Sequence, residues 1–178
     1  MANNTNPDYF RQTILTHLDA AYNLARWLTG DALAAEDLAQ EAALRAFRAF
    51  DKLSGPNPKA WFMAIVRNLC IDWLRGYKQR AREQEYDDDL HGAVAADAER
   101  TPEALSIRAA EARGLHAAIA ALPLEFREAI VLREIEEMSY KEISAVIHVP
   151  IGTVMSRISR GRDLLALALH GAARRAAS

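Results

Sequence analysis

The chain has 178 residues, of which 51% are apolar and 26% charged, with a formal net charge of −2 and one cysteine. That length suits one ordinary domain or two small ones, and the apolar share is enough for a packed core. A lone cysteine excludes a disulfide scaffold and fits a reducing cytoplasm. No apolar run is long enough to span a bilayer, and MANNTNPDYF has neither the basic nor the apolar stretch of a secretory signal, so no membrane insertion is expected.

Almost every segment reads as helix, and no alternation of period two suggests a strand. Tyr9 to Leu28 places Ile14, Leu18, Ala21, Tyr22 and Ala25 on one face. Thr29-Gly30 stops that helix, and Asp31 is a natural cap for the next. Asp31 to Phe50 has Leu38, Ala39, Ala42, Ala43, Ala46 and Phe47 as its inner face. Lys52 to Pro58 is a loop by composition, with Gly55, Pro56 and Pro58. Lys59 to about Arg82 is a long helix, with Trp61, Ile65, Leu69 and Trp73 facing inward. Cys70, set among apolar neighbours, reads as a small core residue rather than a nucleophile. Residues 86–101, acidic and poor in large apolar groups, read as a flexible linker. Thr101-Pro102 starts a helix that runs to about Ala121, with Thr as cap and Pro at the first position. Leu122-Pro123 interrupts the chain, and Leu124 to Glu136 is helical again.

The stretch from Ser139 to Leu169 carries the clearest pattern. Ser139 and Glu142 make an S-x-x-E capping box, so a helix starts at Tyr140 with Ile143, Val146 and Ile147 as its apolar face. His148 to Gly152 breaks it, Pro150 by removing a donor and Gly152 by tolerating a tight entry to the next helix. The following helix buries Val154, Ile158 and Leu165. Its other face carries Thr153, Ser156, Arg157, Ser159, Arg160 and Arg162, the short hydroxyls and guanidinia that reach phosphates and base edges. This is a helix-turn-helix, and its arginines are expected to face DNA rather than water alone.

The net charge of −2 suits a DNA binder only once it is divided along the chain. Residues 59–82 hold six Lys/Arg and one acid, residues 83–103 one Arg and eight acids, and residues 139–178 six basic residues and two acids. Two basic segments flank an acidic one, and that asymmetry decides the partners. Within the first basic segment, AWFMAIVRNLCIDWLR interleaves aromatics with Arg67, Asn68, Asp72 and Arg75, a composition suited to unpaired bases and a phosphate backbone.

Four motifs then occur in order: AEDLAQEAALRAF at 35–47, AWFMAIVRNLCIDWLR at 60–75, LPLEFREAIVLREIEEMSYKEI at 122–143 and GTVMSRISRGR at 152–162. Together they resemble the extracytoplasmic-function sigma factors of the bacterial sigma-70 family, the first two matching region 2 and the last two region 4. The resemblance implies an all-α protein of two small helical domains. Residues 1–85 would form the region 2 domain and residues 102–178 the region 4 domain, joined by the 86–101 linker. It implies core RNA polymerase and promoter DNA as partners, with an anti-sigma factor as regulator. Asp37, Gln40, Glu41, Arg45 and Arg48 would then grip the polymerase. Ser54, Asn57, Lys59, Trp61, Arg67, Asn68, Asp72 and Arg75 would meet the −10 element, where the family captures a flipped base. The 52–59 loop departs from many members in being short and holding two prolines. Ser156, Ser159 and Arg160 would read the −35 element, and Thr153, Arg157, Arg162, Tyr140 and Lys141 would hold its phosphates.

The competing reading is a helix-turn-helix regulator that binds DNA without polymerase. It accounts for residues 139–169 and leaves 35–47 and 60–75 unexplained. An enzyme is not expected, nor a cofactor or metal: histidines 17, 91, 116, 148 and 170 are scattered without ligand spacing. The linker's composition also predicts that the two domains change relative position between functional states.

Overall fold

A computed structural model describes residues 7–53, 55–85 and 107–176, and these form helices and short turns with no strand among them. The first half contains α1 (Pro7–Thr13), α2 (Leu18–Thr29), α3 (Ala32–Arg48) and α4 (Pro58–Glu85). The second contains α5 (Ile107–Ala120), α6 (Leu124–Ile130), α7 (Tyr140–Ile147) and α8 (Ile151–Ala176). The expected linker 86–101 and the Thr101-Pro102 cap lie outside the described residues.

Local signals set most boundaries. Gly30 adopts φ 73° at the end of α2, and its N–H donates to the Arg26 carbonyl at 3.0 Å. Asp31 caps α3 by accepting from the Ala34 N–H at 3.0 Å. Asn57 caps α4 in the same way, accepting from the Ala60 N–H at 2.9 Å. The Ser139 hydroxyl accepts from the Glu142 N–H at 3.3 Å, and the Glu142 carboxylate accepts from the Ser139 N–H at 2.6 Å, completing the capping box. Ser139→Ala removes one of these two bonds. It is expected to cost about 1 kcal/mol, read as a lower urea midpoint by circular dichroism.

Several expectations are corrected. The helix from Tyr9 to Leu28 is two helices, broken by a 3-10 turn at Leu15–His17. That break rotates the inner face, so Leu24 and Leu28 join Ala21 and Ala25 in the core, while Leu18 and Tyr22 are exposed. Phe47 is 53% exposed, because α3 packs through the small side chains Ala35, Ala39, Ala42 and Ala46. On α4 the buried set is Phe62, Met63, Val66, Leu69 and Cys70, whereas Trp61 and Ile65 only border the core. Trp73 stacks on Tyr77 with ring centroids 5.4 Å apart. The helix beginning at Leu124 turns π-helical over Val131–Ile135, where the Glu136 N–H reaches the Val131 carbonyl at 3.1 Å. The tight turn before α8 is made by His148, at φ 56°, and not by Gly152, which lies inside the first turn of α8.

The buried residues of both halves form one core cluster. Sequence reasoning linked the halves through the 86–101 segment alone; in addition, α4 packs on α7 and α2 on α6. Charged side chains of the two halves are thereby brought into contact, Arg67 with Glu128 and Lys59 with Glu136.

Candidate nucleic-acid interface

The helix-turn-helix is built from α7, its turn and α8. Ile143, Val146 and Ile147 on α7 and Val154 and Ile158 on α8 are buried, and Leu165 packs at the edge of the same core. The Ser144 hydroxyl donates to the Val149 carbonyl at 2.6 Å, and the Pro150 carbonyl accepts from the Thr153 and Val154 N–H groups at 2.9 and 3.1 Å. These bonds fix the angle at which α8 leaves the turn. Ser156, Ser159 and Arg160 then stand exposed on one face, at the i, i+3, i+4 spacing that makes helix residues neighbours. The Ser156 hydroxyl donates back to the Thr153 carbonyl at 3.0 Å. Lys141 is exposed, and Tyr140 lies under the Arg133 guanidinium, 5.1 Å from the ring centre.

Two other arginines of α8, Arg162 and Arg157, are engaged. Arg162 hydrogen-bonds Glu134 at 2.5 and 3.0 Å, an exposed pair that water screens. Arg157 is half-buried and meets Glu128 at 3.2 Å and Glu125 at 3.5 Å.

The residues expected at the −10 element line α4 and the turn before it. Ser54 lies outside the described residues. Asn57, besides capping α4, donates its side-chain amide to the Glu142 carboxylate. Lys59 donates to the Glu136 carbonyl at 2.8 Å, with the Glu136 carboxylate 3.6 Å away. Arg67 makes a two-pronged contact with Glu128 at 2.9 and 3.2 Å. Trp61 borders the core, Asn68 is exposed, and Asp72 and Arg75 are exposed and 3.7 Å apart. A cleft of about 520 Å³ opens beside Arg67, with Ile71, Leu74, Leu124 and Val149 as apolar lining and Arg75 and Lys78 among its basic lining.

The residues expected to meet polymerase sit on α3. Asp37, Gln40, Arg45 and Arg48 are exposed, Glu41 is half-buried, and Glu41 pairs with Arg45 at 2.7 Å. Sequence reasoning missed their apolar neighbours: Leu33 and Leu44 are exposed on the same helix together with Phe47. A charged helix face interspersed with large exposed apolar groups suits a protein partner better than water.

Glu128, only 2% exposed, was missed as well. Its one sequence signal is its place on an apolar stripe, with Leu124 four residues before it and Leu132 four after. A carboxylate at such a position needs a charged partner.

Burial and charge shift a few groups. The Cys70 thiol is pushed up to about 12 by burial, which keeps it un-ionised. Burial, helped by Lys59, lowers His17, and burial lowers Arg127, whose guanidinium donates to the carbonyls of Leu122 and, across the halves, Trp27. The Ser139 backbone N–H, then its hydroxyl, hold the Glu142 carboxyl below its ordinary 4.5. A lowered native value means that the ionised Glu142 stabilises the fold above 4.5 and loses this contribution as pH falls through the lowered value. The stability gap between the wild type and Glu142→Gln is therefore expected to be full at neutral pH and to close on acidification, measured by urea titration at a series of pH values. A gap that is constant with pH would contradict this.

Comparison with known proteins agrees with this arrangement. Residues 13–80 match the model for sigma-70 region 2, and residues 112–165 match that for sigma-70 region 4. The chain is 38% identical to the ECF RNA polymerase sigma factor SigE of Mycolicibacterium smegmatis, over 86% of this chain and 59% of that protein. It is 31% identical to the ECF RNA polymerase sigma factor SigW of Bacillus subtilis, over 89% of this chain and 87% of that protein. Among solved structures, the sigma factor RpoE of Bartonella quintana, in complex with the anti-sigma factor NepR, superposes with a TM-score of 0.71 at 30% identity. That match covers 90% of this chain and 96% of that one. Two region models in order and relatives matched over most of their length place this chain in the extracytoplasmic-function sigma factors of the sigma-70 family.

Proposed function

We propose that this chain directs core RNA polymerase to a set of promoters, with residues 1–85 serving polymerase and the −10 element and residues 102–178 the −35 element. The observation that carries this is the pairing in one chain of two separate surfaces. One is the solvent-facing Ser156, Ser159 and Arg160 of a helix-turn-helix; the other is the charged and apolar face of α3. A stand-alone DNA-binding regulator has use for the first and none for the second. Asp37, Gln40, Glu41, Arg45 and Arg48, with Leu44 and Phe47, contact polymerase. Asn57, Lys59, Trp61, Arg67, Asn68, Asp72 and Arg75 serve the −10 element, with Ser54 as part of the same loop. Ser156, Ser159 and Arg160 read −35 base edges, and Thr153, Arg157, Arg162, Tyr140 and Lys141 hold phosphates. The chain's part is binding and positioning; bond-making belongs to the polymerase.

The work is cytoplasmic, in keeping with the absence, among the described residues, of a helix long and apolar enough to cross a membrane. An anti-sigma factor is the expected regulator, because the Bartonella relative is seen bound to one.

The deciding experiment is transcription from candidate promoters with and without core polymerase. Specific initiation with core enzyme and weak DNA binding by the chain alone are expected. Tight sequence-specific binding by the chain alone at physiological salt would favour the regulator reading. Within this scheme, Arg160→Ala should weaken promoter selection by about 1–3 kcal/mol per lost base contact. The loss should be confined to particular −35 bases, read by a promoter-variant scan. A profile identical to the wild type would remove Arg160 from base reading.

A further inference from the structure

Ile151 and Met155 stand in the first two turns of α8, and neither joins the core. They are 45% and 52% exposed, while Val154 and Ile158 take the core side of the same turns. Residues four apart on a helix are neighbours, so Ile151 and Met155 make one apolar strip that runs on to Ser159. Gly152 lies beside that strip, three residues before Met155. It is exposed and has no positive φ, and an added Cβ would meet nothing within 4 Å. Gly161 is different, since Ile130 fills the place of its Cβ. A glycine within a helix is less favourable than alanine, and at Gly152 no contact inside the described chain uses the bare backbone. Two exposed apolar side chains and an uncovered glycine thus stand at the start of the helix whose Ser156, Ser159 and Arg160 are read as −35 contacts.

In helix-turn-helix proteins the first turns of the second helix enter the major groove and meet base edges. The one methyl group that a base presents there is the C5 methyl of thymine. We infer that Ile151, Gly152 and Met155 seat such a methyl group, so that the −35 element of this chain's promoters contains a thymine selected by apolar contact. This rests on the reading of α8 as the −35 helix. Met155 supplies most of the contact, because an unbranched thioether fits itself to a small irregular surface. Ile151, stiff at its branched Cβ, backs it from one side. Gly152 has no side chain to hold the base edge away from the helix. The contact is uncharged. It displaces water and not counterions, and it adds selectivity that salt does not screen.

The test uses the full chain with core polymerase, on a promoter that this holoenzyme transcribes. Each −35 thymine, on either strand, is replaced in turn by deoxyuridine, which removes the methyl group and nothing else. One replacement should lower wild-type promoter occupancy about threefold to fivefold, the share of one buried methyl. Met155→Ala should lower occupancy of the unmodified promoter by a similar factor, respond no further to that uridine, and keep the wild-type salt dependence. Gly152→Ala should also lose the discrimination, with a melting temperature no lower than the wild type's, since its new Cβ strikes nothing within the chain. The inference is overturned if no uridine lowers wild-type occupancy, or if Met155→Ala tells thymine from uridine as well as the wild type does. It is overturned equally if Met155→Ala weakens assembly with core polymerase and leaves that discrimination intact, which would make the strip a polymerase contact. Base-pair changes across the −35 element test the underlying reading separately. If they matter while no uridine does, only the methyl seat is lost; if none matters, the −35 reading of α8 fails with it.

Discussion

Phe62→Ala is expected to lower the stability of the chain by about 3–5 kcal/mol. Phe62 is fully buried on α4, and α4 packs against α2, α3 and α7. Truncation removes the apolar transfer energy of the ring and leaves a cavity among close-packed helices that can only partly collapse. Against a total stability of about 5–15 kcal/mol, that loss is severe. At about 2–4 °C per kcal/mol for a chain of this size, the melting temperature should fall by about 6–20 °C. Calorimetry reads it directly. A drop of a degree or two would mean that the interior around α4 is loosely packed.

The second large effect is expected at Gly161, whose missing Cβ would lie 2.7 Å from Cγ1 and 3.0 Å from Cδ1 of Ile130 and 3.6 Å from Cβ of Phe126. Two terms compete in Gly161→Ala. Better helix propensity stabilises by about 1 kcal/mol, while forcing an extra carbon into a filled contact costs about 1–3 kcal/mol. The clash should win, because Ile130 is itself buried, at 1% exposure, and its Cγ1 is close to the backbone rather than at the end of a flexible chain. Gly161→Leu carries three further carbons into the same contact and should reach about 3 kcal/mol, the upper end of overpacking. It should also push α8 off α6 and misalign Ser156, Ser159 and Arg160, so −35 affinity should fall with stability. Ile130→Ala provides the check. On the Gly161→Ala background it should cost less than on the wild type, since each change relieves the other. Additive costs would show that the two residues do not share the space.

What the sequence disclosed and what it hid follow the range of the interactions. Asp31, Gly30 and the Ser139–Glu142 box act within one helical turn, and each was readable from neighbouring letters. The apolar faces of α7 and early α8 were readable too, because those helices alternate cleanly between apolar and polar positions. On α4 the letters misled. That helix is apolar over much of its circumference, and the size of Trp61 and Trp73 drew the inner face toward them, while Phe62, Met63, Val66 and Cys70 take the core. Phe47 misled in the same way: its neighbours on α3 are alanines small enough to let the helices approach, which leaves the large ring outside. The π-helical turn at Val131–Ile135 carries no Gly or Pro to announce it. Least legible of all were the glutamates that bridge the halves. Arg67 and Glu128 are separated by 61 positions, and no local rule pairs them.

Cys70 has a use that its inert chemistry makes possible. Fully buried and held as a thiol, it reacts with a maleimide or disulfide reagent only when α4 parts from its neighbours. Because it is the one cysteine in the chain, its rate of modification is a clock for that opening, free of interference from any second site. An oxidant likewise meets a buried thiol rather than a thiolate on the folded chain, so the same opening sets how fast Cys70 can be oxidised.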